Sequence, residues 1–309
     1  ERRFNSKSIL HKNNGVTFLS VKSLNLQKST IIEKGLGQLL LEFQYLKAIK
    51  KYFKNEKFDL ILYSTPPITF VKVINYIKKR DNAYSYLLLK DIFPQNAIDM
   101  NMMRERGFLH RIFLKKEKDL YGASDTIGCM SEANKTYILN NNTEVNASKV
   151  EVNPNTILPI SFSYSIEERE TIRKEYNLPL QKKIFIYGGN LGVPQGIDFL
   201  LKIINETSEN DAFFLIVGSG TQFKKMSNWF KMNNPTNAKL LSGLSKENYD
   251  KLLAVCDVGL IFLHKNFTIP NFPSRLLSYL EMGMPVIAAT DINTDIGIVI
   301  EKAECGYWV

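Results

Sequence analysis

From Phe58 onward, short runs of apolar, β-branched and aromatic residues alternate with longer stretches whose apolar positions recur at helical spacing. FDLILYS (58–64), YSYLLLK (84–90), DTIGCMS (125–131) and KVEVNPN (149–155) read as strands. Between them ITFVKVINYIKKR, GFLHRIFLKKEKDLYG and SEANKTYILNN carry the period of helices. After a charged stretch bracketed by Pro159 and Pro179 the alternation restarts. KIFIYGG (183–189), AFFLIVGSG (212–220), AKLLSG (238–243), DVGLIFL (257–263) and VIAA (286–289) predict further strands. GIDFLLKIINETSE, TQFKKMSNWFKMNN, SKENYDKLLAVC and the run opening at Arg275 predict the helices between them. Such alternation predicts an α/β protein with parallel strands and crossover helices. Two doubly wound halves are expected, 1–157 and 182–309, joined at 158–181 by a linker with its own helix.

Composition narrows the class. The 309 residues are 44% hydrophobic and 23% charged, which excludes disordered and collagen-like chains. No window approaches 18 uninterrupted apolar residues, and ERRFNSKSIL at the start lacks an initiator Met and a signal pattern, so a piece of a larger protein is expected. Cys129, Cys256 and Cys305 form neither a disulfide framework nor a zinc motif, which points to a reducing cytoplasm. The net charge of +9 is uneven. Residues 1–150 hold 25 Lys and Arg against 14 Asp and Glu, and 151–309 hold 15 against 17. The first half is suited to an anionic partner, although a lysine-rich solvated surface gives the same imbalance.

Parallel sheets bind ligands beyond the carboxyl ends of their strands, so the post-strand loops are the candidates. YGGNLGVPQG (187–196) leads from strand to helix with glycines that let backbone N–H groups approach a phosphate, or simply make a tight turn. Arg275 opens a helix where the dipole disfavours a cation unless it faces an anion. It either meets a ligand phosphate or is exposed or paired with Glu281. Asp91, at the end of an apolar strand, is placed for acid/base or hydroxyl-orienting work or for capping the next helix. DINTDIG (291–297) mimics a calcium loop, but its glycine is one place late and its twelfth position is Lys302, so calcium is rejected. The three histidines fit neither a metal site nor a Ser-His-Asp set.

In order, GGNLGVPQGIDFLL, FFLIVGSG, LLSGLSKENYDKLLAVCDVGLIFL and FPSRLLSYLEMGMPVIA resemble the C-terminal domain of the family 4 glycosyltransferases. KFDLILYSTPPITF, LLLKDIFPQNAIDM and VEVNPN are similar to the acceptor domain of bacterial capsule and O-antigen members. The resemblance implies a GT-B fold, with two Rossmann-like domains facing across a cleft. It implies retaining transfer of a hexosyl or N-acetylhexosaminyl group from a nucleoside diphosphate sugar to a lipid-linked saccharide in surface polysaccharide biosynthesis. No metal site and no cofactor beyond the nucleotide-sugar co-substrate are expected, nor is a nucleic-acid partner. The enzyme would be cytoplasmic; the basic helices at 44–57 and 110–119 either make peripheral contact with the inner face of an anionic membrane or simply pack on the core. Carried over by position, the diphosphate meets Gly189, Asn190, Leu191, Gly192 and Arg275. The transferred sugar meets Asn271, Phe272, Ser274, Asn293 and Thr294. The nucleoside meets Gly218, Ser219, Gly243, Leu244 and Ser278, and Asp91 orients the acceptor hydroxyl.

This chain departs from that pattern in places. The family's two glutamates fall on Pro270 and Ser278, its lysine falls on Gln195, and Pro273 replaces a common glycine. Those departures favour, as alternatives, a catalytically weakened donor-binding or scaffold protein or a GT-B nucleotide-sugar 2-epimerase, for which Asp295 is one of few acid/base groups. The family's first strand and glycine-rich acceptor loop are not visible before Glu1, nor its terminal crossing helix after Val309, so both domains are expected to be short.

Overall fold

The structure, a computed structural model, describes residues 8–23, 31–160, 164–208 and 212–309. The chain divides into two compact units, Glu1–Pro154 and Asn155–Val309.

The first unit opens with an antiparallel hairpin, β1 (Ser8–Asn13) and β2 (Val16–Val21). Asn14 and Gly15 form its two-residue turn, both with positive φ (49° and 77°), the geometry that matches strand twist. After α1 (Ile31–Tyr52) come β3 (Leu60–Ser64), α2 (Val71–Asp81), β4 (Tyr84–Leu89), α3 (Gln95–Asp99), α4 (Phe108–Ala123), β5 (Thr126–Cys129), α5 (Glu132–Asn141) and β6 (Val150–Val152). The four strands β3 to β6 lie side by side in chain order, all parallel. On β4, Ser85, Leu87 and Leu89 are buried while Tyr84 is exposed, the alternation of a strand with unlike faces. α2 buries Val73, Ile74 and Ile77 and stops at Asn82, whose left-handed conformation (φ 58°) ends the helix. α1 ends at Tyr52, so Phe53–Lys57 of the basic stretch 44–57 lie beyond the helix.

The second unit runs α6 (Ile166–Glu175), β7 (Ile184–Asn190), α7 (Ile197–Glu206), β8 (Phe213–Ser219), α8 (Phe223–Asn233), β9 (Ala238–Ser242), α9 (Lys246–Leu253), β10 (Val258–Phe262), α10 (Arg275–Glu281), β11 (Val286–Ala289), α11 (Ile296–Lys302) and β12 (Gly306–Trp308). Its sheet is parallel throughout, in the order β12-β11-β10-β7-β8-β9. Numbered within the unit, that is the 3-2-1-4-5-6 winding of nucleotide-binding sheets. α11 and β12 extend the sheet by one unit beyond the five expected. Both faces of the sheet are covered. Ile184, Ile186, Leu215 and Val217 enter one core cluster, while Tyr187, Phe214 and Ile216 enter the other. Each fully buried aliphatic side chain contributes about 1.5–3 kcal/mol.

Of the segment expected as a linker, 161–163 lie outside the described residues. Its helix α6 is opened by a Ser165/Glu168 capping box. Arg173 on α6 is buried, donating to Val255 O (3.0 and 2.7 Å) and to Asp257 Oδ2 (2.8 Å), which also accepts from Ile184 N–H (2.8 Å). That network fastens α6 to the starts of β7 and β10, within the second unit.

Candidate functional site

The winding reverses between β7 and β10, and there the sheet opens. β7 pairs with β8 over seven residues, from Ile184↔Phe213 to Asn190↔Ser219, but with β10 only at Phe185↔Val258 and Ile186↔Gly259. Beyond those two pairs a side chain takes over. Gly188 N–H donates to the Tyr279 hydroxyl (3.4 Å), which faces the carbonyls of Leu260 (3.1 Å) and Ile186 (3.3 Å). Tyr279 is fully buried on α10, and its ring packs where a Cβ on Gly259 would lie only 2.4 Å from ring carbons.

One helical turn before Tyr279, on the same face of α10, stands Arg275. Its guanidinium carbon lies 4.3 Å from the centre of the Tyr187 ring. Tyr187 is itself fixed, stacked on Phe262 at 6.0 Å and donating its hydroxyl to Asn190 O (3.1 Å). Burial pushes the Tyr187 phenol above its usual range, opposed by Arg275. Gly189 has φ 117°, which favours glycine, and a Cβ there would lie 3.8 Å from Arg275 Nη2. Among the described residues Arg275 forms no ion pair. Its Nη1 is buried without a hydrogen-bond partner, and Glu281 accepts from Ile160 N–H (2.8 Å) instead. A guanidinium held by Tyr187, with no ion pair among the described residues and its buried Nη1 left over, is suited to receive an anion at the switch point.

The rest of the glycine loop is largely self-satisfied. Leu191 N–H donates to Ser219 O (2.9 Å) and Gly192 N–H to Gln195 Oε1 (3.0 Å), so neither amide is open to a diphosphate. Gln195 also accepts from Asn190 Nδ2 (3.1 Å), which makes it a loop-closing residue. Gly218 and Ser219 end β8, and Gly243 follows β9 with its Cβ position 3.8 Å from Ser219 Oγ, so these nucleoside candidates come together. Leu244 packs on the core, and Ser278 is half-buried on α10.

The sugar candidates span two loops that are tied together. Thr294 Oγ1 donates to Asn271 O (2.5 Å) and Asn293 Nδ2 to Phe267 O (2.5 Å), so both side chains brace the loop after β10. Phe272 packs on the core and Ser274 is exposed at the start of α10. Asn271 Nδ2 is buried without a partner. Asp291, three positions before Thr294, is a further candidate whose signal is a carboxylate just past a strand, the same feature that singles out Asp91.

In the first unit Asp91 follows β4. Its carboxylate accepts from Asn96 Nδ2 at 2.7 and 2.8 Å, and burial raises it to about 6 against those bonds. Its main chain is held by Thr65, whose hydroxyl donates to Asp91 O (2.9 Å) and accepts from Asp91 N–H (3.0 Å). A second carboxyl, Glu117, is buried on α4 and accepts from the Tyr121 hydroxyl (2.8 Å); burial raises it to about 7, and the charge of Asp91 adds to the rise. Phe113, Glu117, Leu120 and Tyr121 share the buried face of α4, a spacing already present in the sequence.

Two α/β units with parallel sheets give the chain a fold of the GT-B type. Residues 168–309 match the family model described as glycosyl transferases group 1. The chain is 20% identical over 286 residues to the probable glycosyltransferase WbjE of Pseudomonas aeruginosa, covering 91% of this chain and 69% of that protein. With the putative colanic acid biosynthesis glycosyl transferase WcaI of Escherichia coli K12 it shares 24% identity over 132 residues, 43% of this chain and 32% of that protein. HepE of Anabaena, solved in complex with UDP, superposes with a TM-score of 0.61 at 16% identity, over 89% of this chain and 69% of that one.

Proposed function

We propose that this chain transfers a sugar, with retention, from a nucleoside diphosphate sugar to a lipid-linked saccharide in surface polysaccharide assembly. The observation that carries donor binding is the buried, unpaired Nη1 of Arg275 at the β7–β10 opening. HepE of Anabaena, solved with UDP and with UDP-glucose, supports the donor class. As the bond between the sugar and the diphosphate breaks, charge develops on the departing phosphate oxygen. Arg275, through its unpartnered Nη1, and the backbone at Gly189 stabilise that charge. Asp91 takes the proton of the acceptor hydroxyl, which attacks from the face of departure.

Contact with an anionic membrane is supported by the start of α4, where Phe108 is 79% exposed beside exposed Met102, Leu109, Arg104, Arg106 and Arg111. Among the described residues no helix is long and apolar enough to cross a membrane. Pro270 and Ser278 favour the second reading, a donor-binding protein that does not turn over. Titration calorimetry with UDP and GDP tests the site: Arg275→Ala is expected to weaken binding at least tenfold, the loss of a charge-assisted contact. Unchanged affinity would remove Arg275 from the donor site. Transfer from a bound donor to a lipid-linked acceptor separates the enzyme from the non-catalytic reading.

A further inference from the structure

The end of β11 lies beside the end of β10, since the two strands pair from Gly259↔Val286 to Phe262↔Ala289. Asp291 follows β11 by two residues and is 3% exposed. Its Oδ1 accepts from Asn293 N–H (2.9 Å) and Thr294 N–H (3.2 Å), which closes the turn and fixes the carboxylate. Thr294 in turn donates to Asn271 O, locking this turn to the loop that leads into Arg275. Among the polar atoms left buried without partners in these two loops are Asp291 Oδ2, an acceptor, and Asn271 Nδ2, a donor, which are not bonded to each other. Buried polar groups normally find partners, so such a pair asks for a ligand.

The ligand chemistry follows from charge and position. A phosphate would be repelled by the carboxylate, whereas a hydroxyl both donates and accepts. Along the sheet the β8 and β9 loops lie to one side of Gly189 and Arg275 and the β11 loop to the other. A donor with its diphosphate at Arg275 and its nucleoside at the β8 and β9 loops brings its sugar to Asp291. Resting on the donor-binding reading above, we infer that Asp291 is a sugar-specificity residue, its Oδ2 accepting from a hydroxyl of the transferred sugar while Asn271 Nδ2 donates to a neighbouring sugar oxygen. Burial raises the carboxyl above its usual range, and the amide bonds from Asn293 and Thr294 oppose the rise. A hydroxyl donor at Oδ2 would oppose it further.

Calorimetry on the 309-residue chain tests this, pairing UDP with UDP-glucose, UDP-galactose and UDP-N-acetylglucosamine, and GDP with GDP-mannose. The expected result is that one sugar nucleotide binds the chain more tightly than its parent nucleotide. Asp291→Asn, which keeps the Oδ1 turn, and Asn271→Ala, which keeps the main-chain bond to Thr294, each erase that gain, by roughly tenfold or more, and leave the parent nucleotide's affinity in place. Three results overturn the inference alone: a sugar gain that survives both variants, no sugar gain across the panel, or equal losses for nucleotide and sugar nucleotide. Absence of binding by any nucleotide overturns the donor site itself, and the inference with it.

Discussion

Asp91 and Glu117 illustrate how burial sets the behaviour of single groups in the first unit. Both carboxyls titrate above their ordinary values, at about 6 and about 7. In the unfolded chain Glu117 ionises near 4.5, so between about 4.5 and about 7 the folded protein binds the extra proton. The stability this contributes is fully present below the lower value and is lost as pH rises through the upper one. Glu117→Gln keeps an acceptor for the Tyr121 hydroxyl and removes the titration. Thermal melts are expected to show the variant gaining on the wild type as pH rises across that window, and a constant difference would refute the account. Asp91 acts in the other sense if it is the base. Transfer should rise with pH through about 6, and Asp91→Asn should abolish both the rate and its pH dependence. An unaltered pH profile in that variant would assign Asp91 a purely structural role.

At the scale of elements, α10 does two jobs on one face: Tyr279 bridges β7 and β10, and Arg275 points into the gap so made. The fit is close enough to test. Gly259→Ala places a Cβ 2.4 Å from the Tyr279 ring, and overpacking of this kind costs about 1–3 kcal/mol. A lowered denaturant midpoint with weaker UDP binding is expected; an unchanged midpoint would mean that the ring moves freely. The strands from β3 to β11 were legible as apolar runs bounded by turn residues; most are buried on at least one side, while β3 leaves Leu60 and Leu62 exposed. Arg275 was legible too, since a cation at a helix start contradicts the dipole. Its support was not: Tyr187 reads as one more core aromatic, and only folding brings it across 88 positions to face Arg275. The β1–β2 hairpin carried a usable sign, Asn14-Gly15 between ILHKN and VTFLSV, but lies ahead of the regular alternation. α11 and β12 were obscured because DINTDIG reads as a calcium-like loop running into the helix, and β12 is only three residues long.

Across the whole molecule, the positive charge and the exposed apolar residues at Phe108 and Leu109 gather in the first unit, whereas the group 1 glycosyltransferase match lies in the second. That division predicts separable behaviour. Binding to phosphatidylglycerol vesicles should exceed binding to phosphatidylcholine vesicles and weaken as sodium chloride rises. Phe108→Ser with Arg111→Ser should reduce it further without altering UDP affinity. Equal binding to both vesicle types would leave the basic half as a solvated surface. The second unit carries its own constraint. Where β7 and β10 part, the Tyr279 phenol rather than a ladder of backbone bonds holds the sheet among the described residues, and that phenol shares its helix face with Arg275. Ligand choice and mechanical cohesion in this half are therefore not independently tunable: any change of size at position 279 would alter both at once.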